Sequence, residues 1–283
     1  MTTHTIAITG ATGQLGRLAI SALQTRAPKA SLVALARNAN ADLGVPVRAF
    51  DYTKPETLAP ALTGVDVLVL ISSNDFNDRV GQHRAVINAA KTAGVGRIVY
   101  TSLLKGDASP MLLTADHIPT EAALKASGLP HTVLRNGWYT ENYTGSLTAS
   151  VAHGAMIGAS GEGRISSAAR ADYAEAIAVV ASTPGHEGQT YELAGDVAHT
   201  MAEMAAEVSR QTGKAIPYTS LPADVYAGIL TGFGLPDGLA HMLADSDDHA
   251  ARGALLDESR TLSRLIGRPT TPISATIAAA LAV

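Results

Sequence analysis

Short apolar runs alternate with amphipathic segments through the first half of the chain. Residues 65–71 are apolar at every position except Asp66, which is typical of a strand buried on both faces of a parallel sheet. Between the runs, apolar residues recur at helical spacing, as Val80, Ile87 and Ala90 do. The pattern predicts strands at 5–8, 32–36, 45–51, 65–71, 97–103 and 131–135, and helices at about 17–23, 55–62, 78–93 and 116–127.

The regular alternation breaks down after about Tyr139. A glycine-rich stretch at 154–163, a predicted helix at 171–182 and a predicted strand at 190–194 precede a mostly helical remainder. Strands that alternate with helices predict an α/β fold with a doubly wound, parallel, Rossmann-like sheet. Since ligands of such sheets bind beyond the carboxyl ends of the strands, we expect residues 1–138 to form a nucleotide-binding core. Residues 139–283 are then the smaller, mainly substrate-cleft portion, with some segments returning to the core.

Gly10, Gly13 and Gly16 stand between the first predicted strand and the first predicted helix. Gly10 permits a tight turn, Gly13 removes a side chain where a pyrophosphate would approach the backbone, and Gly16 lets the helix pack close to the strand. The start of the helix offers N–H groups and a partial positive charge to an anion. The G-x-x-G-x-x-G spacing alone is weak evidence. The strand before it and the helix after it favour a nucleotide-binding turn over an ordinary glycine-rich turn.

Arg37 follows the second predicted strand. An acidic residue about 20 residues after the glycines would hold the ribose hydroxyls of NAD, whereas an arginine there accommodates the 2′-phosphate of NADP. Arg37 therefore indicates NADPH as the cofactor. The alternative is a solvated arginine at the end of a strand.

Composition narrows the possible partners. The chain has 283 residues, 46% of them hydrophobic, a formal net charge of −4 and no cysteine. The lack of cysteine excludes disulfides, thiolate catalysis and cysteine-ligated metals. No cluster of lysines and arginines suits nucleic acid or an anionic membrane, so we expect a small-molecule partner. The first strand starts too early to follow a signal peptide, and no apolar run reaches the length of a membrane helix. We expect a soluble, cytoplasmic protein.

Several segments resemble the NmrA-like, atypical branch of the short-chain dehydrogenase/reductase superfamily, and within it the NAD(P)H:quinone oxidoreductase type 2 proteins, with triphenylmethane dye reductases as near relatives. The segments are 9–16, 70–73, 100–104, 117–121, 134–143 and 191–196, and LRNGWY at 134–139 and YELAGD at 191–196 are the most specific. Residues 74–76 depart from the family pattern. The resemblance implies an NADPH site formed by Gly10, Thr12, Gly13, Gln14, Leu15, Arg37, Ser72, Ser73, Gly137, Trp138, Tyr139 and Asn142.

The usual catalytic pair of that superfamily is missing from the sequence. Its carbonyl reductases use a Tyr-x-x-x-Lys pair, in which the lysine lowers the pKa of the tyrosine. By resemblance, His117 stands at the tyrosine position, Glu121 at the lysine position and Ser102 at the position of the superfamily serine. A glutamate cannot lower a neighbouring pKa as a lysine does, so ketone reduction and sugar-nucleotide epimerisation are disfavoured. Quinones and cationic dyes remain feasible acceptors, because neither needs much proton donation in the transition state.

Three residues are candidates for catalysis. Tyr139 and Asn142 could polarise a quinone oxygen as hydrogen-bond donors, or could only position the cofactor. The pKa of His117 would suit proton delivery near neutrality, but a histidine at a helix start is commonly a surface or capping residue. Trp138 and Tyr143 could stack on a planar ring, with core packing as the alternative for Trp138.

No metal site is expected. Residues 245–249 contain three aspartates and a histidine, but a solvated loop or a helix start is the better interpretation of this segment.

The leading hypothesis is a flavin-free, NADPH-dependent reductase of quinones or related electron-poor aromatics. One alternative is a non-catalytic NADP(H)-binding redox sensor that regulates a partner protein. Another is a triphenylmethane or azo dye reductase. The resemblance also implies a homodimer.

Overall fold

The computed structural model describes residues 4–73, 75 and 78–282. Its strands are β1 (Thr5–Ile8), β2 (Ser31–Ala36), β3 (Val47–Ala49), β4 (Val67–Leu70), β5 (Arg97–Leu103), β6 (His131–Asn136), β7 (Met156–Gly158), β8 (Thr190–Leu193) and β9 (Tyr218–Ser220). Seven of them form a sheet in the order β3-β2-β1-β4-β5-β6-β8. β1 pairs in parallel with both β2 and β4. The pairs β2–β3, β4–β5 and β5–β6 are also parallel. The predicted Rossmann-like α/β fold is confirmed.

Helices connect and follow these strands. They are α1 (Gln14–Arg26), α2 (Leu58–Ala61), α3 (Arg79–Thr92), α4 (Thr114–Ser127), α5 (Glu141–Thr144), α6 (Leu147–His153), α7 (Arg170–Ser182), α8 (Met201–Thr212), α9 (Ala223–Gly232), α10 (Asp237–Ala251), α11 (Thr261–Ile266) and α12 (Ile273–Leu281). Residues Pro55–Thr57 and Gly106–Ala108 form single 3₁₀ turns. None of the helices in the described part of the chain is both long and apolar enough to cross a membrane.

The chain divides into two compact units, each made of separate segments. The first contains the described residues up to 106, together with 115–136 and 170–191. All four residues of β4 are buried in it, which explains their continuous apolar character. Helix α7 packs against α1 in the same unit. The Arg97 guanidinium holds the carboxyl end of α7, because it donates to the carbonyls of Val180 at 2.9 Å, Ala181 at 2.9 Å and Thr183 at 3.1 Å.

The second unit contains residues 107–114, 137–169 and the described residues from 192 onward. It is mostly helical, as expected, but β7 and β9 form a parallel pair in it. The start of α8 is fixed by a capping box, in which Thr200 Oγ1 accepts from the Glu203 N–H at 3.1 Å and Glu203 Oε2 accepts from the Thr200 N–H at 2.8 Å.

Most predicted elements are present with small changes in length. The strands predicted at 5–8 and 97–103 coincide with β1 and β5, whereas those predicted at 45–51 and 65–71 shorten to β3 and β4. The helix predicted at 55–62 is a 3₁₀ turn followed by α2. β7 and β9 were not predicted, since strands of three residues are too short to show a periodic pattern.

Candidate active site

The glycine turn joins β1 to α1 in the first unit. Gly10 has a φ of 59°, in the left-handed region that favours glycine, and its carbonyl accepts a 2.9 Å hydrogen bond from the Gly13 N–H. A Cβ on Gly16 would collide with the Gly10 carbonyl oxygen and lie 2.8 Å from the Ala11 Cα. Among the described residues, no side chain caps the start of α1 at Gly13. No side-chain cap therefore competes with an anion for the N–H groups there.

The remaining residues of the turn, 12–15, lie at or just before the start of α1. Leu15 is buried, whereas Thr12, Gly13 and Gln14 are exposed. The Thr12 carbonyl accepts from Arg17 Nε at 3.1 Å, which braces the turn against its own helix. An exposed backbone at the positive end of a helix fits the pyrophosphate of a dinucleotide.

Arg37, Ser72 and Ser73 follow the carboxyl ends of two further strands. Arg37 comes directly after β2 and is exposed, while the two serines follow β4 and are half-buried. The Ser72 N–H donates to Thr101 Oγ1 at 2.9 Å, and the Ser73 N–H donates to His83 Nε2 at 3.1 Å. Because β2, β1 and β4 are parallel neighbours, the glycine turn, Arg37 and the serines lie at one edge of the sheet. This arrangement fits a dinucleotide that carries a 2′-phosphate.

Ser102 and Glu121, which the resemblance places at the positions of the superfamily serine and lysine, belong to an ion-paired cluster. Ser102 Oγ donates to Glu121 Oε1 at 2.5 Å. Arg135 contacts the same carboxylate through Nε at 3.0 Å and Nη2 at 2.7 Å. The Arg135 and Glu121 side chains are only 18% and 15% exposed. Ser102 and Glu121 are therefore engaged with each other, and no lysine lies at the position of the family pair.

His117 is buried rather than at the surface. It lies in the first part of α4, 7% exposed, with Nδ1 2.9 Å from the Tyr100 hydroxyl. Burial, together with the positive charge of Arg79 and the neighbouring His83, lowers the pKa of His117 to about 3. The interpretation of His117 as a surface or capping residue was wrong, because the histidine fills a polar position inside the fold. Its imidazole is neutral at physiological pH.

The sequence patterns missed two buried polar residues of α3. Arg79 is 4% exposed and its Nη1 lies 3.2 Å from Asp116 Oδ2, and His83 is fully buried. Val80, which the helical pattern placed inside, is only half-buried. A signal did exist for His83, since it lies three and four residues before Val86 and Ile87, on the apolar face of the helix.

The remaining candidate cofactor residues lie in the second unit. Trp138 is buried, and its carbonyl accepts from the Ala168 N–H at 3.2 Å. Tyr139 is half-buried and forms an isolated parallel bridge with Ala168. The Asn142 N–H donates to the Tyr139 carbonyl at 3.0 Å, and the Asn142 side chain is exposed on α5. Gly137 is buried directly before this segment. The second unit therefore holds Gly137 to Asn142 as one continuous, backbone-anchored loop.

The interpretation of residues 245–249 as a solvated loop or a helix start was wrong. They lie inside α10 and form neither a solvated loop nor a helix start, and Ser246 and Asp247 are buried. The helical pattern was weak here because the buried apolar residues of α10 are small alanines. Among the described residues, no group of three or more His, Asp or Glu side chains could hold a metal ion.

Asp247 is a buried carboxyl close to tyrosines. Its Oδ2 accepts from the Ala159 N–H at 3.0 Å, and its Oδ1 lies 3.5 Å from the Tyr143 hydroxyl. Burial raises the pKa of Asp247 to about 6, against the opposing effect of these two hydrogen bonds. Burial and the Asp247 charge in turn raise the pKa values of Tyr143 and Tyr226. Tyr143 thus contacts a carboxyl of its own unit.

The segment after Ser73 is described only in part. Asn74 and Phe76, where the sequence departs from the family pattern, lie outside the described residues. Asp75 is held by Gln82, whose Nε2 donates to Asp75 Oδ2 at 2.6 Å.

Comparisons with known proteins extend along almost the whole chain. The model of the NmrA-like family matches residues 2–271. Quinone oxidoreductase 2 of Escherichia coli (strain K12) is 52% identical to this chain over 277 residues, which cover 96% of this chain and 97% of that protein.

Two solved structures share the fold at high similarity. The crystal structure of the NADPH-dependent quinone oxidoreductase QOR2 from Escherichia coli, complexed with NADPH, has a TM-score of 0.93 and 51% identity, and covers 98% of this chain and 99% of that chain. The triphenylmethane reductase of Citrobacter sp. has a TM-score of 0.92 and 35% identity, and covers 99% of this chain and 100% of that chain. Both matches span the two units.

Proposed function

This chain belongs to the NmrA-like family, and we propose that it is an NADPH-dependent oxidoreductase that transfers a hydride to quinones or related electron-poor aromatic acceptors, without a flavin. The observation that carries this conclusion is the 52% identity with Escherichia coli quinone oxidoreductase 2 over nearly the full length of both chains. The family match, over residues 2–271, includes the glycine turn of the first unit and the Gly137 to Asn142 loop of the second.

Residues of the first unit bind the cofactor. When bound, NADPH supplies the hydride from its nicotinamide ring. The exposed turn at Gly10 and Gly13, with the uncapped start of α1, holds the pyrophosphate. Arg37 would hold the 2′-phosphate through a charge-assisted hydrogen bond. The backbone at Ser72 and Ser73, at the same sheet edge, completes this part of the site.

The ion-paired cluster explains why a quinone is a suitable acceptor. Reduction of an ordinary ketone needs a proton donor at the nascent alkoxide. Here Ser102 donates to Glu121, Arg135 neutralises that carboxylate, and His117 is neutral with its Nδ1 at the Tyr100 hydroxyl. A quinone needs less help, because reduction makes its ring aromatic and the resulting phenolate is a stabilised anion. The protein therefore contributes chiefly by orienting the two reactants.

Two residues of the second unit are assigned a role in the reaction. We propose that the Tyr139 hydroxyl and the Asn142 amide would polarise a quinone oxygen or position the nicotinamide. Both residues belong to one anchored loop, joined by the Asn142 N–H to Tyr139 carbonyl hydrogen bond. Trp138 supports the loop from its buried position.

Steady-state kinetics test the proposal. The purified protein should oxidise NADPH only when a small quinone is supplied, and NADH should be much less effective. His117→Phe should leave substantial activity, because its imidazole is neutral and contacts Tyr100. Tyr139→Ala and Asn142→Ala should lower turnover more strongly, since they disturb the nicotinamide end. Tyr139→Phe is the matched variant that separates the hydroxyl from the ring.

Two results would contradict the proposal. A folded protein that binds NADPH, yet oxidises it no faster than the uncatalysed reaction across quinones and dyes, would instead be a redox sensor. A stoichiometric yellow chromophore in the purified protein would indicate a bound flavin and refute direct hydride transfer from NADPH.

Cationic triphenylmethane dyes are a second class of acceptor. The 35% identity with the Citrobacter sp. triphenylmethane reductase favours them, and hydride transfer simply neutralises such a cation. Comparison of kcat/KM for a quinone and a triphenylmethane dye under the same conditions decides between the two classes. A higher value for the dye would change the assigned acceptor but not the cofactor.

We also propose that the protein is a homodimer, on family resemblance alone. Light scattering coupled to size-exclusion chromatography should give twice the mass of one chain. A mass equal to one chain would contradict this proposal and leave the proposed reaction unaffected.

A further inference from the structure

The imidazole of His83, inside the first unit, makes two hydrogen bonds and contacts two aromatic rings. It is fully buried on α3. Its two ring nitrogens lie 3.1 Å from the Ser73 backbone nitrogen and 3.1 Å from Thr120 Oγ1 on α4. The rings of Tyr52 and Tyr100 meet the imidazole edge-on, with centroids 6.2 and 5.6 Å away. The imidazole therefore links the segment after β4 to α4 within a closely packed environment.

The hydrogen-bond directions define one tautomer of His83. The Ser73 N–H can only donate, so Nε2 is the unprotonated acceptor and Nδ1 carries the hydrogen. Nδ1 then donates to Thr120 Oγ1, and the Thr120 hydroxyl donates to the Asp116 carbonyl at 2.9 Å. Burial and the positive charge of Arg79 lower the pKa of His83 to about 3, so the ring is neutral. Three hydrogen bonds in series thus run from Ser73 to α4.

We propose that His83 is a positioning residue for the NADPH site, in which its neutral imidazole fixes the backbone of Ser73 in the conformation that receives the cofactor. The inference rests on the proposed function, which assigns Ser73 to the cofactor site. The Ser73 hydroxyl is held separately, since it donates to Gln82 Oε1 at 3.3 Å and accepts from the Asp75 N–H at 3.1 Å. His83 therefore acts on the backbone and not on the side chain of Ser73.

Loss of the imidazole should weaken cofactor binding without changing the chemistry. Without an acceptor, the half-buried Ser73 N–H is unsatisfied, and the segment after β4 rearranges to satisfy it. Only the fraction of molecules in the original conformation then binds NADPH, so the apparent Kd rises by the inverse of that fraction. We expect about a tenfold weaker affinity when the acceptor is removed.

The test is direct titration of NADPH into the full-length protein and its variants. His83→Leu removes both hydrogen bonds, and its Kd should rise about tenfold. His83→Gln keeps an amide oxygen for the Ser73 N–H and an NH₂ group for Thr120 Oγ1, so its Kd should stay close to that of the unaltered protein. His186→Leu is the matched control. His186 belongs to the same unit but bonds Thr183 and Tyr191, so its loss should leave the Kd unchanged.

Kinetics separate positioning from a general loss of structure. In His83→Leu the KM for NADPH should rise in parallel with Kd, while kcat at saturating NADPH and the KM for the quinone stay the same. If the unaltered protein oxidises no NADPH with any quinone, the proposed function fails. The comparison of NADPH dissociation constants still decides the role of His83.

An unchanged NADPH affinity in His83→Leu would overturn the inference, as would a His83→Gln variant that binds as weakly as His83→Leu. If His83→Leu does not fold, Thr120→Val decides, because it removes the oxygen that holds Nδ1–H. Its Kd should rise about threefold, and an unchanged Kd would overturn the inference. Long-range ¹H–¹⁵N spectra should show Nε2 of His83 unprotonated, and a proton on Nε2 would also contradict it.

Discussion

Replacement of Arg37 by alanine should remove the preference for NADPH over NADH. Arg37 is exposed at the carboxyl end of β2, where its guanidinium can meet a 2′-phosphate. A hydrogen bond to a charged group contributes about 1.5–3 kcal/mol, and about 1.4 kcal/mol corresponds to a tenfold change in affinity. Because water and salt screen an exposed pair, the direct contribution of Arg37 belongs at the lower end of that range.

Asp51 increases the expected loss. Burial raises the pKa of the Asp51 carboxyl, but hydrogen bonds from Thr53 and the positive charges of Lys54 and Arg37 together hold it below its ordinary value. The carboxylate is therefore ionised at neutral pH, and without Arg37 it repels a phosphate more strongly. We expect Arg37→Ala to weaken NADPH binding by about ten- to thirtyfold and to leave NADH within about twofold.

Paired titrations of the two cofactors, with kcat/KM for each, measure this effect. Arg26→Ala is the matched control, because Arg26 is an exposed arginine in the last turn of α1. Adding Asp51→Asn to Arg37→Ala should restore part of the NADPH affinity by removing the repulsive charge. An equal loss of NADPH and NADH affinity in Arg37→Ala, or an unchanged ratio between them, would refute the assignment of Arg37 to the 2′-phosphate.

Four further variants test the described packing and charges. Gly16→Ala should destabilise the protein by about 3 kcal/mol in urea unfolding, because the added Cβ meets backbone atoms. Gly228→Ala, whose Cβ would lie in open space on α9, should stabilise the protein by about 0.5–1 kcal/mol. Similar effects of the two variants would refute the close approach of Gly16 to the Gly10 carbonyl. Burial raises the pKa of Asp247 to about 6, so folding becomes less favourable as this carboxyl ionises. Between about pH 4 and 7 the wild type should therefore lose at most about 3 kcal/mol of stability relative to Asp247→Asn. A stability difference that does not depend on pH would contradict this. Glu121→Gln takes the carboxylate from a largely buried Arg135 and should cost about 2–3 kcal/mol in thermal unfolding; a loss below about 0.5 kcal/mol would show that the pair is solvated.

The sequence predicted the central strands of the sheet well because they are apolar runs between polar residues. β5 is buried at six of its seven positions, so its limits were visible. β7 and β9 were not predictable, since each has three residues and gains its stability from the other strand, about 60 residues away in sequence. In α10, the small side chains of Ala240, Ala244 and Ala250 gave too weak an apolar pattern to reveal that Asp247 faces inward.

The positions of the glycine turn and Arg37 in the fold were predictable from the sequence, because each follows an apolar strand of the sheet. The glycine turn and Arg37 lie at the expected sheet edge, because they follow β1 and β2, which are parallel neighbours. The polar interior was not predictable. Burial of His83 and His117 depends on hydrogen bonds to Ser73 and Tyr100, and such pairings between separate elements leave no periodic signal in the sequence.

The interleaving of the two units has a consequence for synthesis on the ribosome. Arg97 donates to the Val180 carbonyl, which is added to the growing chain 83 residues later. Helix α7, which packs on α1, is also made after the first part of the second unit. A nascent chain that ends before α7 therefore exposes the α1 surface and an Arg97 without these carbonyls. The first unit therefore cannot complete its folding co-translationally until α7 has left the exit tunnel, and until then the surface of α1 that packs on α7 stays uncovered.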